Sequence, residues 1–159
     1  MSTVMSTYVE PILKTLEVRC TQAHAFEVFT AGVDRWWKRD FSINPTRSAI
    51  AEVVMEPRVG GRWFERGVDG SECEWGRVLA WDPPQRIVVA WHVTAEGKYY
   101  QPDVHTEVEV NFAKVSRDVT RVTLEHRLLE RLGEAAETAR GRFDGGWGAL
   151  LERFAAEVV

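Results

Sequence analysis

The sequence predicts an α+β fold: a strongly curved antiparallel sheet of seven strands around one long C-terminal helix, with two short helices after the first strand. Three observations predict it. From Ser48 to Arg127 apolar residues recur with period two, and Gly- or Pro-bearing turns interrupt them at short intervals, as in consecutive antiparallel strands. One further alternating segment stands near the N-terminus. Past Leu132–Gly133 the period becomes about 3.6, which is helical.

Each element has its own local reason. From Ile12 to Cys20 the chain alternates, with Ile12, Lys14, Leu16, Val18 and Cys20 on one side and Leu13, Thr15, Glu17 and Arg19 on the other. Thr21 then caps QAHAFEVF, where Ala25, Phe26 and Phe29 form an apolar stripe, and this helix ends near Gly32. The segment VDRWWKRDF makes one or two more helical turns that project Trp36 and Trp37 before Pro45 stops continuation. The strands AIAEVVME, RWFERG, ECEWGRVLAW and RIVVAWHVT are separated by PRVGG, VDGS and DPP. After a polar crossing, AEGKYYQPD, the segments TEVEVNFAKV and VTRVTLEHRL form a hairpin around Ser116, Arg117 and Asp118. Residues 1–10 read as a flexible tail and 11–159 as one domain, the size at which a single core forms.

In the last helix Ala139, Phe143, Trp147, Leu150, Leu151, Phe154 and Val158 share a face, yet FDGGWGALLERF sets Gly145, Gly146 and Gly148 around Trp147. Each interior glycine costs about 1 kcal/mol relative to alanine. An unbroken helix puts Gly146 beside the buried stripe and Gly145 toward solvent; the alternative makes Asp144 the N-cap of a separate final helix. A curved sheet cannot follow a straight helix everywhere, so a gap opens between them, and small residues on the helix enlarge it.

Composition narrows the function classes. A formal charge of −4 and a pI near 5.6 speak against a nucleic-acid binder and against an anionic-lipid surface. The longest clean apolar run, Ile87 to Trp91, is too short to span a bilayer, and the N-terminus lacks the basic and apolar regions of a signal peptide, so a soluble cytoplasmic protein is expected. Cys20 and Cys73 have no CxxC spacing and read as buried thiols. His24, His92 and His105 show no zinc spacing, and the acidic hairpin ERGVDGSECE matches no calcium loop, so no metal is expected. GxSxG, phosphate-loop and GxGxxG motifs are absent, and no cofactor is expected. Seven Trp among 159 residues need a thick core or a lined cavity to house them.

The element order, together with AFEVFTAGVDRWW (25–37), EPRVGGRWFERGVDGSECEWGRVLAWDPPQRIVVAW (56–91) and GGWGALLERF (145–154), resembles the helix-grip superfamily of START-related ligand-binding domains, known as SRPBCC. Within it the chain is similar to the branch related to the C-terminal domain of the heat-shock-protein-90 ATPase activator, from about Pro11 to Val158. The resemblance implies a cavity between sheet and helix. It also implies one continuous last helix, because a glycine–tryptophan pair like Gly146–Trp147 is common there. The superfamily includes lipid carriers, hormone receptors and polyketide cyclases, so the fold alone does not set the function. The eukaryotic activator makes much of its chaperone contact through a separate N-terminal domain, for which no segment here has the length; direct chaperone activation is not the expectation.

Strand parity turns Ile87, Val89 and Trp91, Val108, Val110 and Phe112, and Val122, Leu124 and His126 toward the long helix. The expected cavity residues from the sheet are Val89, Trp91, Val110, Phe112, Leu124 and His126. The helix adds Phe143, Gly146, Trp147 and Leu150. Trp36, Trp37 and Phe41 stand where the resemblance puts the cavity mouth, as a lid or as packing on the sheet rim. His126 is either a polar handle for a ligand, able to move a proton, or a satisfied strand-end histidine. Parity leaves the faces of Trp63 and Trp75 open, since they share their sides with Glu65 and Arg77.

The expected function is binding of a small apolar or aromatic molecule without a cofactor. One alternative is a cyclase- or aromatase-like enzyme acting on a polyketide or aromatic substrate; another is a chaperone-related interaction module with a filled interior. The expected partner is that small molecule, with no nucleic acid and no membrane, and a homodimer stays open.

Overall fold

The computed structural model describes residues 8–94 and 104–159. Its strands are β1 (Ile12–Val18), β2 (Ile50–Met55), β3 (Arg62–Gly67), β4 (Glu72–Asp82), β5 (Arg86–Trp91), β6 (Thr106–Ser116) and β7 (Val119–Arg127). Helices α1 (Gln22–Phe29) and α2 (Val33–Trp36) follow β1, and α3 (Ala136–Glu157) closes the fold. The sheet is seven-stranded in the order β1-β7-β6-β5-β4-β3-β2, antiparallel throughout and curled into a half-barrel. The fold class expected from the sequence is the one observed. The polar crossing at 95–103 and residues 1–7 of the expected tail lie outside the described residues; beyond them Val9 is buried, and Arg140 of α3 donates to the carbonyls of Glu10 and Pro11.

Register carries the inward stripe across the sheet. Ile87 pairs with Val110 and Val110 with Leu124, while Val89 pairs with Val108 and Val108 with His126; all are buried. Strand β1 stops at Val18 because Thr21 begins α1, its hydroxyl accepting from the His24 N–H at 3.2 Å. Cys20, in that junction, is only partly buried, which corrects the expectation of two buried thiols; Cys73 is the buried one.

Two bulges in β4 resolve what parity left open. Trp63 pairs with Gly76 but Phe64 pairs with Glu74, so Trp75 is an extra residue. Trp75 and Gly76 therefore both sit on the inner side, after which Arg77 turns out and Val78 in. Gly76 has no alternative, because a Cβ there would lie 2.2 Å from the Ala90 carbonyl oxygen. On β3 Trp63 and Glu65 are both buried, while the Arg62 guanidinium lies 4.1 Å from the Phe64 ring centroid.

Helix α3 runs unbroken for 22 residues through the glycines. Its start is set upstream, where a 3-10 helix at Leu129–Ala135 contains Gly133 at φ 66°. Asp144 is no cap: its carboxylate pairs with Lys14 Nζ of β1 at 3.0 Å. The buried face of α3 carries Phe143, Trp147, Leu150, Leu151 and Phe154 onto the concave sheet.

Candidate ligand cavity

The groove between α3 and the sheet is filled at one end and open at the other. At the filled end α1 inserts Phe26 and Phe29 against Phe112, with ring centroids 5.2 and 5.6 Å away, and Phe29 meets Phe154 of α3 at 5.3 Å. At the other end a cavity of about 370 Å³ remains, within the usual size of small-molecule sites. Trp75, Trp91 and Val93 wall it from the sheet side, and Phe143, Gly146, Trp147 and Leu150 from α3. Trp37, Phe41, Ser42 and Ile43 form its lip, and exposed Asp40, Arg142 and Gly145 mark the rim.

Six of the seven tryptophans form one aromatic network. Trp63 lies 5.3 Å from Trp37, 5.4 Å from Trp91, 6.2 Å from Trp75 and 6.4 Å from Trp147. Trp37 and Trp75 are closest, with centroids 4.4 Å apart and planes tilted by 32°. Edge-to-face and offset contacts of this kind contribute about 0.5–1.5 kcal/mol each beyond area burial. Trp36 joins through Trp37, at 5.7 Å, and packs on Phe29, while Trp81 lies apart, against Phe26.

The indole N–H groups show how the wall is fixed. Trp147 donates to His126 Nδ1 at 3.0 Å, and His126 Nε2 lies 2.7 Å from the Thr106 hydroxyl. An indole only donates, so Nδ1 is unprotonated and the neutral imidazole carries its hydrogen on Nε2. Burial disfavours the imidazolium and pushes the His126 pKa down to about 3. Phe143 stacks on the imidazole at 5.0 Å. Trp75 donates to Glu65 at 2.9 Å, whereas the N–H groups of Trp37, Trp63 and Trp91 are enclosed without an acceptor among the described residues.

Glu65 is fully buried and holds the lip. One carboxylate oxygen accepts from Trp75 and, at 2.7 Å, from the Ile43 backbone N–H; the other accepts from the Ser42 hydroxyl at 2.6 Å. Sequence reasoning missed this residue. The signal was its parity with Trp63, which places a carboxylate on the aromatic face and calls for several donors around it.

Of the residues expected at the site, Trp37, Phe41, Trp91, Phe143, Gly146, Trp147 and Leu150 stand together on the wall or lip. Trp36, the last residue of α2, packs against Phe29 and Phe154 outside the cavity lining, its N–H bonded to the Val28 carbonyl at 2.9 Å. Phe112 belongs to the end filled by α1, and Val89, Val110 and Leu124 are buried on the concave face away from the cavity wall. His126 lies behind Trp147, with both ring nitrogens engaged inside the protein. Parity assigns the face of a strand residue but not its distance along the groove, and α1 occupies the part that Phe112 reaches. Ser42, Ile43, Trp75 and Val93 join the wall without having been expected there.

Among the described residues no three His, Cys, Asp or Glu side chains are grouped to hold a metal ion, and no helix is long and apolar enough to cross a membrane.

Solved structures share the architecture over nearly the whole chain. The anthrahydroquino-γ-pyrone synthase Txn09 is 34% identical over 96% of this chain and 98% of its own, with a TM-score of 0.66. CalC, a self-sacrificing resistance protein from Micromonospora echinospora, is 27% identical over 96% of each chain, at 0.71. Protein NE0264 from Nitrosomonas europaea, 16% identical over 94% of this chain and 93% of its own at 0.63, shares the fold. Among curated proteins none matches the chain. The family model described as Activator of Hsp90 ATPase homolog 1-like protein matches residues 19–158, from the end of β1 through the sheet and the glycine-bearing α3. The chain belongs to that family, within the helix-grip superfamily.

Proposed function

We propose that the protein binds a planar aromatic molecule in the cavity between α3 and the sheet. The observation that carries this reading is the wall itself: Trp37, Trp75, Trp91, Phe143 and Trp147 surround about 370 Å³ of space. Flat aromatic walls favour a flat aromatic occupant through stacking and edge contacts. The interaction-module alternative calls for a filled interior, which a cavity of this size does not supply.

Native mass spectrometry of the freshly purified protein, with extraction of any bound molecule, is the direct test. It is paired with tryptophan fluorescence and thermal unfolding across a panel of bicyclic and tricyclic aromatics. Binding should quench or shift the emission, raise the midpoint, and lose part of its optical signal in Trp147→Phe. If emission, midpoint and native mass stay unchanged across the panel, the reading fails.

A second reading, catalysis on such a molecule, is favoured by the 34% identity to a synthase over 96% of the chain. Incubation with hydroxylated polycyclic aromatic ketones, followed by mass spectrometry, separates the two: a binding protein returns the compound unaltered, an enzyme returns a product.

A further inference from the structure

We infer that Ser42, oriented by Glu65, is a hydrogen-bond acceptor on the cavity wall and selects aromatic ligands that carry a hydroxyl donor; this rests on the proposed binding function of the same cavity. A serine hydroxyl ordinarily rotates to suit whatever approaches, donating or accepting. Ser42 lacks that freedom. Its oxygen lies 2.6 Å from Glu65 Oε2, and a carboxylate only accepts, so the single hydrogen of Ser42 is committed to Glu65. The Asn44 backbone N–H donates to the same Ser42 oxygen at 3.2 Å and occupies one lone pair. One lone pair remains, on a half-buried residue that borders the cavity.

The orientation is held from behind. Glu65 is fully buried, and its other oxygen is fixed by Ile43 N at 2.7 Å and Trp75 Nε1 at 2.9 Å, so the carboxylate cannot swing away. Donation to a charged acceptor polarises the Ser42 O–H bond and makes its oxygen a better acceptor. A phenolic O–H brought to this point finds a partner. An ether or carbonyl oxygen finds an oxygen with no hydrogen to give, and loses its own water in the process. Asp40 and Arg142 also border the cavity, but they are exposed at the rim, where water competes.

Glu65→Gln should invert the preference. The amide oxygen can keep the bonds from Ile43 and Trp75 while its NH2 donates to Ser42. Both Ser42 lone pairs are then occupied, by residue 65 and by Asn44, and its hydrogen is released toward the ligand. The lip changes from acceptor to donor without losing its packing.

The experiment is calorimetric titration of 2-naphthol and 2-methoxynaphthalene into the wild type, Glu65→Gln and Ser42→Ala. The quantity read is the ratio of the two Kd values, in which each ligand's own solvation cancels between proteins. Ser42→Ala should lower the naphthol preference about tenfold, equivalent to about 1.4 kcal/mol. Glu65→Gln should lower it further, past the alanine variant and toward the methyl ether. A ratio that is the same in all three proteins overturns the inference and leaves the binding reading standing. If neither ligand binds the wild type, both fall. Should Glu65→Gln not fold, the ratio in Ser42→Ala decides: a drop supports the acceptor role and constancy overturns it.

Discussion

At the scale of single residues, His126 shows how burial converts a titratable group into a structural one. The unfolded chain protonates this imidazole near the ordinary value of about 6.5, whereas the folded protein does so at about 3. Between those values the unfolded state holds more protons, so stability rises with pH across the window, is complete above about pH 6.5, and is lost on acidification. The slope approaches 1.4 kcal/mol per pH unit, or about 2 kcal/mol between pH 7 and pH 5. Urea unfolding at the two pH values measures it, and His126→Gln, although less stable at pH 7, should show a flatter dependence. An equal loss in both proteins would assign the acid sensitivity elsewhere. His126 was legible as an inward polar residue from its parity with Val122 and Leu124. Its partners were not, because Thr106 and Trp147 come from other elements whose approach no local pattern encodes.

At the scale of elements, α3 was the most legible part of the chain, since its buried stripe repeats with one period through Phe154. The glycines within it divide by environment. A Cβ at Gly145 meets nothing within 4 Å, so Gly145→Ala should stabilise the protein by about 0.5–1 kcal/mol through helix propensity and unfolded-state entropy. The sequence places Gly146 beside the packed stripe, where a methyl would be expected to press on the sheet. Instead, its nearest neighbour is Phe41 Cε2 at 3.9 Å, an ordinary contact. Gly146→Ala should therefore fold as stably as the wild type or slightly more so, while narrowing the cavity and weakening aromatic ligands; thermal unfolding beside ligand titration separates the two effects. A large loss of stability would mean that the helix needs this position bare for packing. Strands β5 to β7 were legible in their starting residues and faces, although β5 stops at Trp91, three residues short of the expected Thr94; β4 was less legible, because the extra Trp75 reverses the alternation. A bulge is fixed by how two strands meet, and a single strand's pattern carries no record of it.

At the scale of the whole molecule, one groove serves two purposes. The end that holds Phe26, Phe29 and Phe112 is packed, and Phe112→Ala should cost about 3–5 kcal/mol in denaturant unfolding. Ligand affinity, measured well below the unfolding transition, should survive that change, because Phe112 does not reach the cavity. Stability and recognition are thus assigned to opposite ends of one hydrophobic layer. The sheet also joins its first strand to its last, with Ile12 opposite His126 and Val18 opposite Thr120. A ribosome must therefore deliver almost the entire sheet before β1 finds its partner β7, and α3 later still. Until then the tryptophan-rich concave face has no cover, and such distant pairings place refolding among the slower single domains, in the range of roughly milliseconds to seconds. Nascent chains released before Ala136 present that uncovered face to the cell, which makes them natural clients for holdase capture rather than miniature versions of the finished protein.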